Sequence, residues 1–382
     1  MGHGLDPETE CSRVAPQPVV DSHVTRIGYL PNKLMKNALL SSLKLAIGIA
    51  LIYLLYRSLE NPQALWEQLR QANKPMLLIG AGCYTGAVAL SAIKWGLLLK
   101  TSGIQVGLSR LLSYQWVAEF FNNFLPAQVG GDVMRGYALA SDTSRAADAA
   151  ASVLVDRFIG LLVFMLAATC AALAMLIWGR PDGTLLNGKE LLFTQFTALG
   201  SGLMTLILGL LLALILSLRA VRWLEQFLSR LPLSKYSVPT WQKLIEVFDA
   251  YRSHKRALLW TAASSMLIVI LTTINIWLIG RAIQPDEISL LEVFAINPII
   301  VFVALALPLS PGGLGVRQSA FAATFLLIGA SWDLGFQVGL LQQLIGYLVS
   351  LPGGYLWLRG RERQNSSQII ITSDASIEPQ LQ

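Results

Sequence analysis

Leu125-Pro126-Ala127-Gln128-Val129-Gly130-Gly131-Asp132-Val133-Met134-Arg135 returns later in the chain as Leu307-Pro308-Leu309-Ser310-Pro311-Gly312-Gly313-Leu314-Gly315-Val316-Arg317. Both stretches spell L-P-x-x-x-G-G-x-x-x-R at one constant offset (308 − 126 = 182 for the prolines, 317 − 135 = 182 for the arginines). Phe120 with Phe302, and Ala138 with Ala320, obey the same spacing. Each copy follows one apolar run and precedes another. A proline and two glycines interrupt a helix, and inside apolar sequence that interruption has to face protein or a water-filled cavity rather than lipid. Two corresponding interruptions in two halves point to the binding site of a transporter. A pair of ordinary turns is the plainer reading, but it gives no reason for the same arginine at the same distance.

The composition says which solvent the chain meets. Hydrophobic residues make up 54% and charged residues 14%, with a mean hydropathy of +0.55. Soluble domains carry about a quarter charged residues, so this is an all-α, multi-pass integral membrane protein. The net charge of +6 reads by location, because Lys and Arg gather in cytoplasmic loops, and it does not indicate nucleic acid. Cys11, Cys83 and Cys170 are scattered, and His3, His23 and His254 all lie outside the apolar runs. Neither a metal site nor a cofactor is expected from them.

Residues 1–35 are polar and proline-bearing and read as a disordered cytoplasmic leader. Residues 36–358 form the membrane domain, with halves of about 36–218 and 257–358. The basic segment 219–256 between them reads as two amphipathic helices, lying on the inner leaflet or packed as a cytoplasmic pair. Residues 359–382 read as a disordered cytoplasmic tail. Eight spans fit the apolar runs: 38–56, 76–99, 152–178, 196–218, 257–280, 290–309, 317–330 and 336–358. The seventh falls short of the ~20 residues a helix needs to cross, and reads as half of a broken element. Lys44 and Lys94 read as snorkelling to an interface. Placing the basic clusters inside puts both termini on the cytoplasmic side of the inner membrane. The repeats are then parallel, unless the run before Pro126 enters as a hairpin.

A helix restarting after Gly130-Gly131 or Gly312-Gly313 presents its first amides, and its dipole, to an anion. Arg135 and Arg317, one turn further on, would add guanidinium contacts. Facing each other, they would make a pocket for a lipid phosphate; alternatively, each pairs with Asp132 or Asp156. Asp132, whose counterpart is Leu314, reads as a helix-start carboxylate or, with Glu119, as a proton-coupling group. Asn122 and Asn123 either satisfy carbonyls freed by Pro126 or bond a headgroup. Asp156 and Arg157 suit an internal charge network. Gln342 and Gln343 either line the same cavity or bridge helices.

The combination N-N-F-L-P-x-x-x-G-G-D-x-x-R (Asn122 to Arg135), D-R-x-x-G (Asp156 to Gly160) and P-G-G-L-G-V-R (Pro311 to Arg317) resembles the flippase-like membrane domain of lysylphosphatidylglycerol synthases. The resemblance runs from about Lys36 to Leu358. It implies some eight helices and the movement of phospholipids or lipid-linked anionic intermediates across the membrane. The matching substrate-binding residues would be Asn122, Asn123, Pro126, Gly130, Gly131, Asp132, Arg135, Asp156, Arg157, Pro311, Gly312, Gly313 and Arg317. Family members often carry Glu where this chain has Asp156, and an acidic residue where it has Gln318. No stretch after Leu358 is long enough for the synthases' soluble aminoacyl-transferase domain, so lipid aminoacylation is not expected. Two other readings stay open. One is an intramembrane lipid or glycosyl transferase acting on a polyprenyl phosphate, with Asp132 or Glu119 as base. The other is a non-transporting partner of a glycosyltransferase, docked through 219–256. The sequence holds no P-loop and no nucleophile elbow.

Overall fold

The computed structural model describes residues 70–124, 130–180, 183–186, 188–217, 254–306 and 312–375, with Tyr53, Glu67, Tyr251 and Arg252. The leader, the expected first span at 38–56 apart from Tyr53, with Lys44, the prolines Pro126 and Pro311, the segment 219–250 and residues 376–382 lie outside the described residues.

Among the described residues there are nine helices and no strand: α1 (Lys74–Thr101), α2 (Leu108–Phe124), α3 (Gly130–Thr143), α4 (Ala146–Trp178), α5 (Gly188–Leu216), α6 (Lys255–Ile283), α7 (Leu290–Ala306), α8 (Val316–Leu327) and α9 (Trp332–Ala375). Five are long and apolar enough to cross a bilayer: α1, α4, α5, α6 and the Trp332–Arg359 part of α9. Their starts follow from local chemistry. Asn73 caps α1 by accepting the Met76 amide at 3.2 Å, and Pro75 stands in the first turn, where no N–H partner is lost. Along α5, Phe196, Leu199, Leu203, Leu206 and Leu210 are all exposed and recur on one face, the stripe a lipid-facing helix presents. Hydrogen bonds join the spans: Asn275 to Gln342 (2.6 Å), Asn297 to Thr273 (3.1 Å) and Trp95 to Ser152 (3.0 Å). Each contributes about 0.6 kcal/mol in a membrane bundle.

The remaining helices, over their described residues, are shorter. α7 has 17 residues and α8 has 12, or about 25 and 18 Å at 1.5 Å per residue, against ~30 Å of hydrocarbon. They form a hairpin whose two outer ends meet at one residue. Arg180, just past the end of α4, pairs with Glu292 near the start of α7 at 2.9 Å and donates to the Ile328 carbonyl at the end of α8. α2 and α3 make the matching hairpin. Tyr114 near the start of α2 bonds Asp142 near the end of α3, while Asn122 and Gly131 meet at the other end.

The hairpins enter from opposite ends of the bundle. α1 finishes and α6 begins at the end that carries Lys100 and Lys255, which line one cavity. The first hairpin opens there, since it lies between the end of α1 and the start of α4. The second opens at the Arg180 end. Their tips meet: a β-carbon added to Gly312 would lie 2.5 Å from the Asn123 carbonyl oxygen.

Several expectations are corrected by this arrangement. The repeat handedness, left open in the sequence, is inverted, because the run before Pro126 is one arm of a hairpin. The expected spans 290–309 and 317–330 are arms as well. Lys94 does not snorkel; it is buried against Asp156 (2.8 Å), because α1 packs on α4. Helix α9 continues to Ala375, where a disordered tail was expected from Arg359, and no proline interrupts it after Pro352.

Candidate functional site

Five charged side chains thread between α1, α3 and α4. Lys94 bonds one oxygen of Asp156 at 2.8 Å, and Arg135 bonds the other at 2.8 Å. Arg135 also reaches Asp132 at 3.0 Å and Gln115 at 3.4 Å, and stacks over the Trp95 ring at 5.0 Å. Asp132 closes the chain onto Arg157, with one contact of 2.9 Å and a second, shorter one through Nε. Lys94, Arg135 and Asp156 are all buried. Burying such charges is tolerable only because each has a partner; removing one from a buried pair costs about 3–5 kcal/mol. Arg157 differs, since its side chain remains 58% exposed while holding Asp132.

The two copies of the repeated motif use their glycines differently. In the first, Gly130 and Gly131 are already helical. Gly131 is required for close approach: a β-carbon there would sit 2.2 Å from the Ala118 carbonyl oxygen. In the second, Gly312 and Gly313 have φ of +60° and +74°, a turn that L side chains disfavour. The expected open amides are in part occupied. The Asn122 carboxamide oxygen accepts the Gly131 N–H at 2.9 Å, and the Gln318 carboxamide oxygen accepts the Gly315 N–H at 2.7 Å. Asn123 donates across to Ser350 Oγ at 2.8 Å, which ties the first tip to α9.

The two arginines differ more sharply. Arg135 is 2% exposed and held by two carboxylates. Arg317 is half-buried, and among the described residues no carboxylate pairs with it. Its charge acts on the hydroxyls of Tyr84 and Tyr347. Tyr84 in turn donates to Glu119 at 2.5 Å and stands beside Gly346, one turn from Asn123's partner Ser350. Tyr84 and Trp95, the ring beneath Arg135, are 11 residues apart on α1 (95 − 84), about 16 Å along a helix.

Of the expected residues, Asn122, Asn123, Gly130, Gly131, Gly312, Gly313 and Arg317 gather at the hairpin tips. Asp132, Arg135, Asp156 and Arg157 form the charge chain beside them. Pro126 and Pro311 lie outside the described residues. Gln342 bridges α6 and α9 through Asn275. Sequence reasoning missed Tyr84 and Tyr347, which belong to no motif. It also placed Lys94 at an interface, although an ionisable residue within a span points by default to a functional partner.

The family profile described as "Lysylphosphatidylglycerol synthase TM region" matches residues 41–353, as the motifs implied. Among curated proteins, a UPF0104 membrane protein of Pyrococcus horikoshii is 24% identical over 350 residues, covering 85% of this chain and 98% of the relative. A second UPF0104 membrane protein, from Methanothermobacter thermautotrophicus, is 24% identical over 312 residues, covering 77% and 88%.

Proposed function

The chain belongs to the lysylphosphatidylglycerol synthase TM region family, and from that premise we propose that it transports lipid across the cytoplasmic membrane. Its substrate is an anionic phospholipid or lipid-linked intermediate whose phosphate is received at the hairpin tips. Arg317 carries this reading. A guanidinium without a described carboxylate, half-buried among spanning helices, is expensive. A phosphodiester supplies the missing anion and matches the guanidinium fork. The charge of Arg317 reaches the hydroxyls of Tyr84 and Tyr347. Inverted hairpins with touching tips also suit alternating access, because tilting either one opens the tip region toward its own end.

The transferase reading needs a carboxylate free to act as base. Asp132 and Asp156 are each held by two cations, which favours movement over chemistry. Of the two candidate proton-coupling groups, Glu119 suits the role better, since its described partner is a neutral hydroxyl. Both termini and the Lys100 end lie on the cytoplasmic side in this reading. The test is reconstitution into liposomes with fluorescent phosphatidylglycerol, phosphatidylcholine and phosphatidylethanolamine, reading translocation by dithionite quenching. Anionic lipid moves fastest in the wild type, Arg317→Gln slows it at least about tenfold, and Arg317→Lys falls between. Wild-type rates in Arg317→Gln overturn the proposal.

A further inference from the structure

Where α1 ends and α6 begins, a cavity of about 560 Å³ opens, lined by Lys100 and Thr101 from one helix and by Lys255, Arg256 and Trp260 from the other, with His254 between. Of its described lining residues three are cations and none is a carboxylate. No described carboxylate pairs with Lys100, Lys255 or Arg256. Their spacing is set from beneath. Tyr251 is 0% exposed, packs against Leu98 and Leu258, and accepts a hydrogen bond from Ser102 at 3.3 Å. Burial pushes its hydroxyl above its ordinary value, so it stays neutral and adds no negative charge to the wall. His254 caps α6 without a side-chain bond to the first amides, so the helix start adds its own positive end.

Apolar surface adjoins these cations directly. Leu259 is 70% exposed and Trp260 is 66% exposed, at the start of a spanning helix. A cationic rim above an exposed tryptophan and leucine reproduces the boundary between headgroup and acyl chain. Basic pockets between spanning helices on the cytoplasmic side recognise anionic headgroups, with about 1 kcal/mol from each Lys or Arg. We infer that this cavity binds the phosphodiester headgroup of an anionic phospholipid at the membrane surface, its acyl chain lying along Trp260. The site is separate from the hairpin tips and neighbours the 102–107 connection into the first hairpin. Soluble phosphates share the anion chemistry, but the lipid-facing Trp260 and Leu259 favour the lipid.

Native mass spectrometry of the full-length protein, titrated with phosphatidylglycerol or phosphatidylcholine, tests it. The wild type retains one phosphatidylglycerol that the variant Lys100→Gln, Lys255→Gln, Arg256→Gln binds about a hundredfold more weakly. The swap Lys100→Arg, Lys255→Arg, Arg256→Lys keeps that lipid and shows that loss is not misfolding. Arg317→Gln also keeps it, which separates this site from the tip site whatever the transport assay gives. Equal retention of phosphatidylglycerol by the Gln variant overturns the inference, as does equal retention of phosphatidylcholine by the wild type. Displacement of the lipid by glycerol 3-phosphate or inorganic phosphate at equal concentration overturns the lipid assignment.

Discussion

The backbone of Gly312 rests on the backbone of Asn123: a β-carbon at Gly312 would stand 2.5 Å from the Asn123 carbonyl oxygen and 3.2 Å from its Cα. The two residues belong to opposed hairpins and are 189 positions apart (312 − 123). This contact holds one tip against the other, with Asn123 anchored to Ser350 behind it.

Gly312→Ala therefore meets both a disfavoured backbone angle, φ +60°, and a backbone clash. The angle alone costs about 1–2 kcal/mol. Gly313→Ala has a similar angle, φ +74°, but its nearest neighbours are 3.9 Å away. Thermal unfolding in detergent should rank Gly312→Ala below Gly313→Ala, with Gly209→Ala, which meets nothing within 4 Å, nearest the wild type. Equal losses at 312 and 313 would mean that the tips do not touch.

Among the described residues Asp156 is the only carboxylate on Lys94, and it shares Arg135 with Asp132. Asp156→Asn leaves two cations facing each other in the bundle, whereas Lys94→Met leaves Asp156 still paired with Arg135. Breaking a buried pair costs about 3–5 kcal/mol. The melting temperature should fall furthest in Asp156→Asn and much less in Lys94→Met. The double variant Lys94→Met, Asp156→Asn should recover part of the loss, since it removes one stranded charge.

The spanning helices were legible in the sequence because the bilayer leaves a chain few choices: long apolar runs must satisfy their own backbone. The short length of 317–330 correctly marked a broken element. The hairpins were not legible as such, because an arm and a span share the same helical period. Inversion depends on which ends meet, and contacts such as Arg180 with both Glu292 and Ile328 join residues far apart in the chain. The repeat located the tips but suggested too much symmetry. Arg135 found its carboxylates on α3 and α4, and Arg317, facing Leu314 where the first copy has Asp132, found none described. Tyr84 and Tyr347 carried no signal beyond being polar groups within apolar runs.

Arg180 straps both ends of the second hairpin. It pairs with Glu292 at 2.9 Å and Glu190 at 3.5 Å and donates to the Ile328 carbonyl. Arg180→Gln removes the strap and leaves Glu292 without its cation, at a cost of about 1–3 kcal/mol. Hydrogen–deuterium exchange should accelerate across 290–328 and stay unchanged across 108–143. Uniform acceleration in both hairpins would show that Arg180 supports the whole bundle rather than one hairpin.

The inverted arrangement also fixes which loops share a face, and impermeant thiol labelling reads this directly. In a background with Cys11, Cys83 and Cys170 replaced by Ser, one new cysteine is placed at a time. Ser144 connects the first hairpin to α4 at the Lys100 end; Asp286 connects α6 to the second hairpin and its side chain is 95% exposed. Each connection flanks one hairpin, so hairpins that entered from the same side would put them on one face. Inverted repeats put them on opposite faces, because α4, α5 and α6 make three crossings between them. Asp286→Cys should react in intact cells, and Ser144→Cys only after permeabilisation. That outcome also sets the Lys100 end in the cytoplasm, where its cations meet the anionic leaflet. Reaction of both from outside would mean that the two hairpins enter from one side, and would remove the structural basis for alternating access at the tips.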